Sequence, residues 1–283
     1  MSILSKTQPI IFSDLDGSLL DHFDYDFSAA EPVLVQLQDL KIPVIPVTSK
    51  TAAEVMQLRQ ELNNSHPFIV ENGAAIFIPK GYFPEKPQQY IDMGEFWVRC
   101  NSMPRTYWLS LLAQHAKQFY GEYETFSAVV EMRGIKGLQT LTGLSEQAAA
   151  LSHQRGYSEP IHWLGTSARK LEFIQTITEA GGTLLQGGRF LCLSDNINKG
   201  TALLELLSVY KKYWPKAEFE SLAIGDSDND IDMLEAASCA LIIRSKNHCV
   251  PLLSKTTDQM ISRTFGPEGW AEGVTLWLNK LNR

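Results

Sequence analysis

Residues 9–18 read PIIFSDLDGS: an apolar run ending at Ser13 that reads as a buried strand, closed by Asp14, Asp16 and Gly17. Two acids spaced two apart at a strand end can point the same way, and Gly17 lets the chain turn sharply beyond them. In open α/β sheets, ligands collect outside the carboxyl ends of the strands. Two carboxylates about 4 Å apart repel by about 4 kcal/mol at an effective dielectric of 20, so the pair invites a cation or a shifted pKa. Taken alone, the pattern fits two solvated loop acids at a turn equally well.

Working outward, the strand is followed by strand and helix in alternation. A helix is expected over about 28–40, a strand at IPVIPV (42–47) and a helix over about 51–62. Ser28 with Glu31 and Thr51 with Glu54 fit the capping box that opens a helix. Val33, Leu37 and Leu40, then Val55, Leu58 and Leu62, recur at helical spacing and offer each helix a face for a sheet. The rhythm returns late, with helices near 199–213, 229–237 and 267–281 and strands SLAIG (221–225) and CALII (239–243). Such alternation builds an α/β fold around a doubly wound parallel sheet.

From about 85 to 190 the texture changes to scattered aromatics, helical patterns near 104–119 and 167–180, and Gly-rich turns at 181–182 and 187–188. This predicts an inserted α+β domain at 85–190, with the core domain split into 1–84 and 191–283. No internal repeat or low-complexity segment interrupts this plan.

The 283 residues carry 32 acids against 25 Lys and Arg, a formal charge of -7, which disfavours general attraction to nucleic acid. An anionic substrate must therefore be caught by a local positive site. No apolar stretch approaches the roughly 18 residues needed to span a bilayer, and no secretory signal opens the chain. The expectations are no membrane association and a cytoplasmic location. The four cysteines, at 100, 192, 239 and 249, lack CxxC or His spacing and read as buried free thiols.

A second acidic cluster, GDSDNDID (225–232), follows SLAIG just as the first acids follow PIIFS. An EF-hand loop needs Gly at its sixth position and Glu at its twelfth, but Ile231 and Ala237 stand there. Carboxylates at two strand ends suit Mg²⁺ better, since it takes one or two protein carboxylates and keeps room for water and phosphate oxygen. Asp228 and Asp232 also suit the N-terminus of the following helix. Thr48 and Ser49 end IPVIPV just before a helix N-terminus, where hydroxyls and backbone N–H groups can meet a phosphate, although either residue is equally a plain cap. Lys199 opens a helix at the end where the dipole disfavours a cation, which suggests that it faces an anion. Walker, dinucleotide-binding, zincin and nucleophile-elbow motifs are absent. The six histidines are scattered and read as surface or packing residues.

These residues resemble the haloacid dehalogenase superfamily of phosphatases, whose motifs run DxDG[TS], a strand-end Thr or Ser, a Lys and GDxxND. Here they stand as Asp14-Leu15-Asp16-Gly17-Ser18, Thr48, Lys199 and Gly225-Asp226-Ser227-Asp228-Asn229-Asp230. The insert between the second and third motifs resembles the superfamily's type-2 cap. Within it the chain most resembles the mannosyl-3-phosphoglycerate phosphatase family, on SDLDGSLLD (13–21), TSKT (48–51), ENGA (71–74), TGLS (142–145), YSEPI (157–161), GGRF (187–190) and GPEGW (266–270).

The resemblance implies that Asp14 attacks phosphorus to form an aspartyl-phosphate, while Asp16 protonates the leaving alkoxide and then activates water. It implies Mg²⁺ on Asp14, the Asp16 main-chain oxygen and Asp226. Thr48 and Lys199 would bind the phosphoryl oxygens, and Asn229 and Asp230 would support the metal shell or position Lys199. For a phosphorylated sugar-glycerate substrate, Arg189 is the candidate partner of the carboxylate, with Asn72, Ser158 and Glu159 as candidate sugar or hinge-side contacts. Rival readings are a glucosyl-3-phosphoglycerate or hexose phosphate phosphatase, a phosphomutase or phosphotransferase, and a non-catalytic phospho-ligand sensor.

Overall fold

A computed structural model describes residues 7–187 and 189–281. The chain groups into two compact units, one of Met1–Thr48, Asn64–Arg99 and Asn198–Arg283, the other of Ser49–Asn63 and Cys100–Ile197.

The first unit is built on a parallel five-stranded sheet, in the order Gln259–Phe265, Cys239–Arg244, Glu218–Gly225, Thr7–Ser13 and Val44–Pro46. Ile10, Phe12, Ile45, Ala223 and Ile242 share one core cluster with Leu203, Leu206 and Leu207 of the helix Lys199–Tyr213. Fully burying each of these leucines contributes about 1.5–3 kcal/mol, which offsets the cost of burying a lysine at the same helix's first turn. The helix Gly266–Leu281 packs on Cys239–Arg244 and Gln259–Phe265 and buries Trp270, Val274, Trp277 and Leu278. Strands covered by such apolar side chains read as continuous apolar runs, as PIIF does. Phe68–Val70, Ala75–Pro79, Phe96–Cys100 and Ile91–Met93 form an additional four-stranded sheet in this unit.

The second unit has a four-stranded antiparallel sheet, ordered Tyr123–Thr125, Glu159–Trp163, Phe190–Ser194 and Thr183–Gly187. The predicted helices are Arg105–His115 and Ser167–Glu179. Two more, Phe126–Thr142 and Glu146–His153, were not foreseen. The first is kinked at Gly134, whose φ is +65°, and glycines interrupt its apolar period. The fold is thus α/β with an inserted α+β segment, as expected.

Several local expectations need correction. The first helix spans Glu31–Asp39, so Ser28 lies short of its start at Ala30 and its hydroxyl donates to Asp26 at 2.5 Å. Its buried face is Ala30, Leu34 and Leu37, and Leu40 is exposed because the helix has ended before it. The Thr51–Glu54 capping box does form, opening Ala52–Glu61. None of the four cysteines is in a disulfide, but only Cys239 is buried; Cys100 ends a strand and Cys249 lies in a loop. Among the described residues, no helix is long and apolar enough to cross a membrane.

Candidate active site

Parallel pairing brings the acidic clusters together. Thr7–Ser13 and Glu218–Gly225 run in register to Ser13 opposite Ile224, and the Asp14 N–H donates to the Ile224 carbonyl at 2.8 Å. Asp14 and Asp226 therefore leave adjacent strands at the same end. On the other side, Ser13 pairs with Pro46 and accepts from the Val47 N–H, which carries Thr48 to that edge. Trp270 of GPEGW donates to the Ser13 hydroxyl at 2.9 Å, and that hydroxyl donates to the Asp14 carbonyl at 2.7 Å.

Lys199 is the first residue of Lys199–Tyr213, after Asn198, whose side chain caps the helix by accepting from the Thr201 N–H. The lysine is completely buried, and its Nζ lies 2.5 Å from both Asp14 Oδ1 and Asp230 Oδ1. Asp230 Oδ2 accepts from the N–H groups of Asp226 and Ser227, at 3.1 Å each. Both oxygens of Asp230 are thereby engaged, one by Lys199 and one by the two backbone N–H groups. Asn229 is exposed and its amide donates to Asn72 Oδ1 at 3.2 Å. Asp16 is half-buried in the turn after the first strand, where the Gly17 N–H donates to the Leu20 carbonyl.

Asp14, Asp226 and Asp230 each present an oxygen within 4.8 Å of the others, all three buried. Buried Lys199 meets two of this trio, Asp14 and Asp230. Burial first, then the Asp230 charge, pushes the Asp14 carboxyl well above its usual range, and Lys199 offsets only part of this. Burial, then Asp230, raises Asp226 to about 6. For Lys199, burial favours the neutral amine, but Asp14 and Asp230 more than reverse this and keep it charged. A buried cluster of hard oxygen donors with more acids than cations, two of them with raised pKa values, fits a small divalent cation such as Mg²⁺. Gly17 makes room for the cluster: its φ is +80°, and a Cβ there would lie 2.5 Å from Asp226 Oδ2.

A pH dependence follows. The folded Asp226 holds its proton more tightly than the ordinary value of 3.8. Its contribution to stability is therefore full below about pH 3.8 and is lost as pH rises through about 6, at most about 2–3 kcal/mol. Asp14 acts in the same direction. In thermal unfolding without divalent cations, wild type should lose Tm relative to Asp226→Asn between pH 4.5 and 7.5, and Mg²⁺ should remove the difference. A constant gap would contradict the raised value. His153, which burial lowers below 6.5, has the opposite sign and cancels in this comparison.

The remaining candidates lie in the second unit. The Ser49 carbonyl accepts from Arg155, whose guanidinium also donates to the hydroxyl of buried Ser158 at 3.0 Å. Glu159 is fully buried and accepts from Arg105 and from the Ser127 N–H and hydroxyl, so it braces its own unit. Arg189 is exposed, donates to the Thr142 carbonyl and lies over the Phe190 ring. Gly188, its neighbour in GGRF, falls outside the described residues.

Two residues escaped the sequence reading. His248 is no mere surface group, since its Nε2 lies 3.1 Å from Asp226 Oδ2. Arg155 ties Ser49 to Ser158. Neither belongs to a motif, and neither carries a local signal.

The pattern of the family described as haloacid dehalogenase-like hydrolase matches residues 11–126 and 167–255. A glucosyl-3-phosphoglycerate/mannosyl-3-phosphoglycerate phosphatase of Methanococcoides burtonii is 31% identical over 273 residues, 96% of this chain and 98% of the relative. Its namesake in Persephonella marina is 31% identical over 282 residues, 97% and 98% of the two chains. Among solved structures, a haloacid dehalogenase-like hydrolase from B. subtilis superposes with a TM-score of 0.61 at 19% identity, covering 95% of this chain and 98% of its own.

Proposed function

Because this chain belongs to the haloacid dehalogenase-like hydrolases, we propose that it is a Mg²⁺-dependent phosphoric monoester hydrolase acting on glucosyl- or mannosyl-3-phosphoglycerate. The observation that carries the reading is the buried contact of Lys199 with Asp14 and Asp230, with Asp226 in the same cluster. A carboxylate held in one orientation by a buried lysine is suited to nucleophilic attack.

In the proposed reaction, an Asp14 oxygen attacks phosphorus and the bond from phosphorus to the substrate's alkoxide breaks. Asp16 gives that alkoxide its proton. The aspartyl-phosphate is then opened by water, which loses a proton to the Asp16 carboxylate as the bond from phosphorus to Asp14 breaks. Lys199 holds the attacking carboxylate and, with Thr48, stabilises charge on the transferring group. Asp14, the Asp16 main-chain oxygen and Asp226 would hold the cation. When bound, it supplies the positive charge that lets Asp14 ionise and approach an anionic phosphate. Asp230 keeps Lys199 in place.

The inserted segment is proposed to carry substrate choice, with Arg189 for the glycerate carboxylate and Ser49 and Ser158 as further candidate substrate contacts. Glu159 is not given that role, because its carboxylate is spent internally. The relatives' names cover both sugars, so neither is preferred.

The test is kcat/KM over a panel of glucosyl- and mannosyl-3-phosphoglycerate, hexose phosphates and an aryl phosphate, with Mg²⁺ and with a chelator. The expected result is free phosphate without any acceptor, at least tenfold preference for the phosphoglycerates, and loss of turnover on chelation. Phosphate appearing only with an acceptor sugar would make the chain a phosphotransferase. Full activity in chelator would remove the cation.

A further inference from the structure

Glu71, Asn72 and Gly73 take three successive left-handed conformations, with φ of +48°, +58° and +103°. Two adjacent non-glycine residues in this region are costly, and such strain persists only where the surroundings over-determine it. Here the surroundings belong to three separate parts of the site. The Asn72 N–H donates to the Thr48 carbonyl at 2.9 Å. Asn72 Oδ1 accepts from Asn229 Nδ2 at 3.2 Å. Gly73 abuts the start of the Lys199 helix so closely that a Cβ would lie 2.4 Å from the Asn198 carbonyl. The Asn229 amide is held at its other end as well, where its Oδ1 accepts from the Ser227 hydroxyl at 2.5 Å.

We infer that Asn72 is a positioning residue that, with its left-handed turn, holds the Thr48 strand end, the Lys199 helix start and Asn229 in mutual register. The assignment rests on the hydrolase reading above and replaces the sugar contact expected for Asn72. Glycine would adopt the same backbone at lower cost. What asparagine adds is the amide that reaches Asn229, so Asn72→Gly removes the tie and spares the turn.

The experiment measures kcat, KM and Tm for wild type, Asn72→Gly, Asn229→Ala and the double variant, with Mg²⁺ and the best substrate of the panel. Each single variant should lose about tenfold in kcat, in the range for groups that support a site from behind. KM should stay within twofold, Tm of Asn72→Gly should not fall, and the double variant should be no slower than the slower single. Wild-type kcat in Asn72→Gly would overturn the inference. So would a raised KM at unchanged kcat, which marks a substrate contact, or losses that multiply in the double variant. If wild type hydrolyses nothing in the panel, the hydrolase reading fails separately, and the tie is decided by NMR. The Asn229 side-chain amide resonances should then shift in Asn72→Gly, and unmoved resonances would overturn it.

Discussion

Replacing Asp14 by Asn is expected to lower kcat by about 10⁴-fold or more while leaving the protein at least as stable as wild type. In the proposed mechanism, loss of the nucleophile removes the covalent route altogether, and losses of this order or larger accompany such changes elsewhere. Stability should not fall, because Asp14 shares Lys199 with buried Asp230, and buried Asp226 lies in the same cluster. Its carboxyl is pushed up chiefly by burial and by Asp230, so removing its charge relieves repulsion. The amide keeps an oxygen for Lys199, which retains Asp230 as its charged partner. Phosphate release and thermal unfolding, measured on one preparation, check both halves. Near-normal turnover would rule out attack by Asp14, and a large fall in Tm would show that its charge holds the fold together.

Lys199→Met should do the opposite to stability. Methionine fills much of the same volume, but it leaves Asp14 and Asp230 buried without their cation. Breaking a buried pair by removing one partner costs about 3–5 kcal/mol. Activity should be lost as well, since Asp14, the proposed nucleophile, would no longer be oriented. Urea unfolding at pH 7 should show the drop, and adding Asp230→Asn should recover a large part of it by removing one stranded charge. If Lys199→Met were as stable as wild type, the lysine would not be neutralising these acids, and the account of Asp14 would fall with it.

Much of this cluster was legible in the chain. PIIFSDLDGS and SLAIGDSDND each show an apolar strand running into acids, and parallel pairing then requires the two ends to meet. Lys199 announced itself by violating a local rule, as a cation at a helix N-terminus, and it does face two carboxylates. The Thr51–Glu54 box formed because both partners lie within one helical turn. The Ser28–Glu31 box did not, although the spacing is identical. Asp26 competes for the Ser28 hydroxyl, and the chain turns once more before the helix begins. The helices Phe126–Thr142 and Glu146–His153 carried usable signals in Thr125 and Ser145, both of which cap in the structure. Glycines at 134, 137 and 143 masked them by breaking the apolar period.

By itself, then, the sequence determined the α/β class, the two strand ends that carry acids and the lysine that opens a helix, because these follow from periodicity and nearest-neighbour chemistry, whereas the roles proposed for Asp14, Asp226 and Lys199 rest on the family resemblance. The tertiary structure alone decided which acid of GDSDND holds Lys199, that Asn72 meets Asn229, and that His248 meets Asp226. Those contacts join residues 22 to 157 positions apart. They depend on sheet register and on where a strained turn or a loop comes to rest, neither of which leaves a periodic mark in the chain.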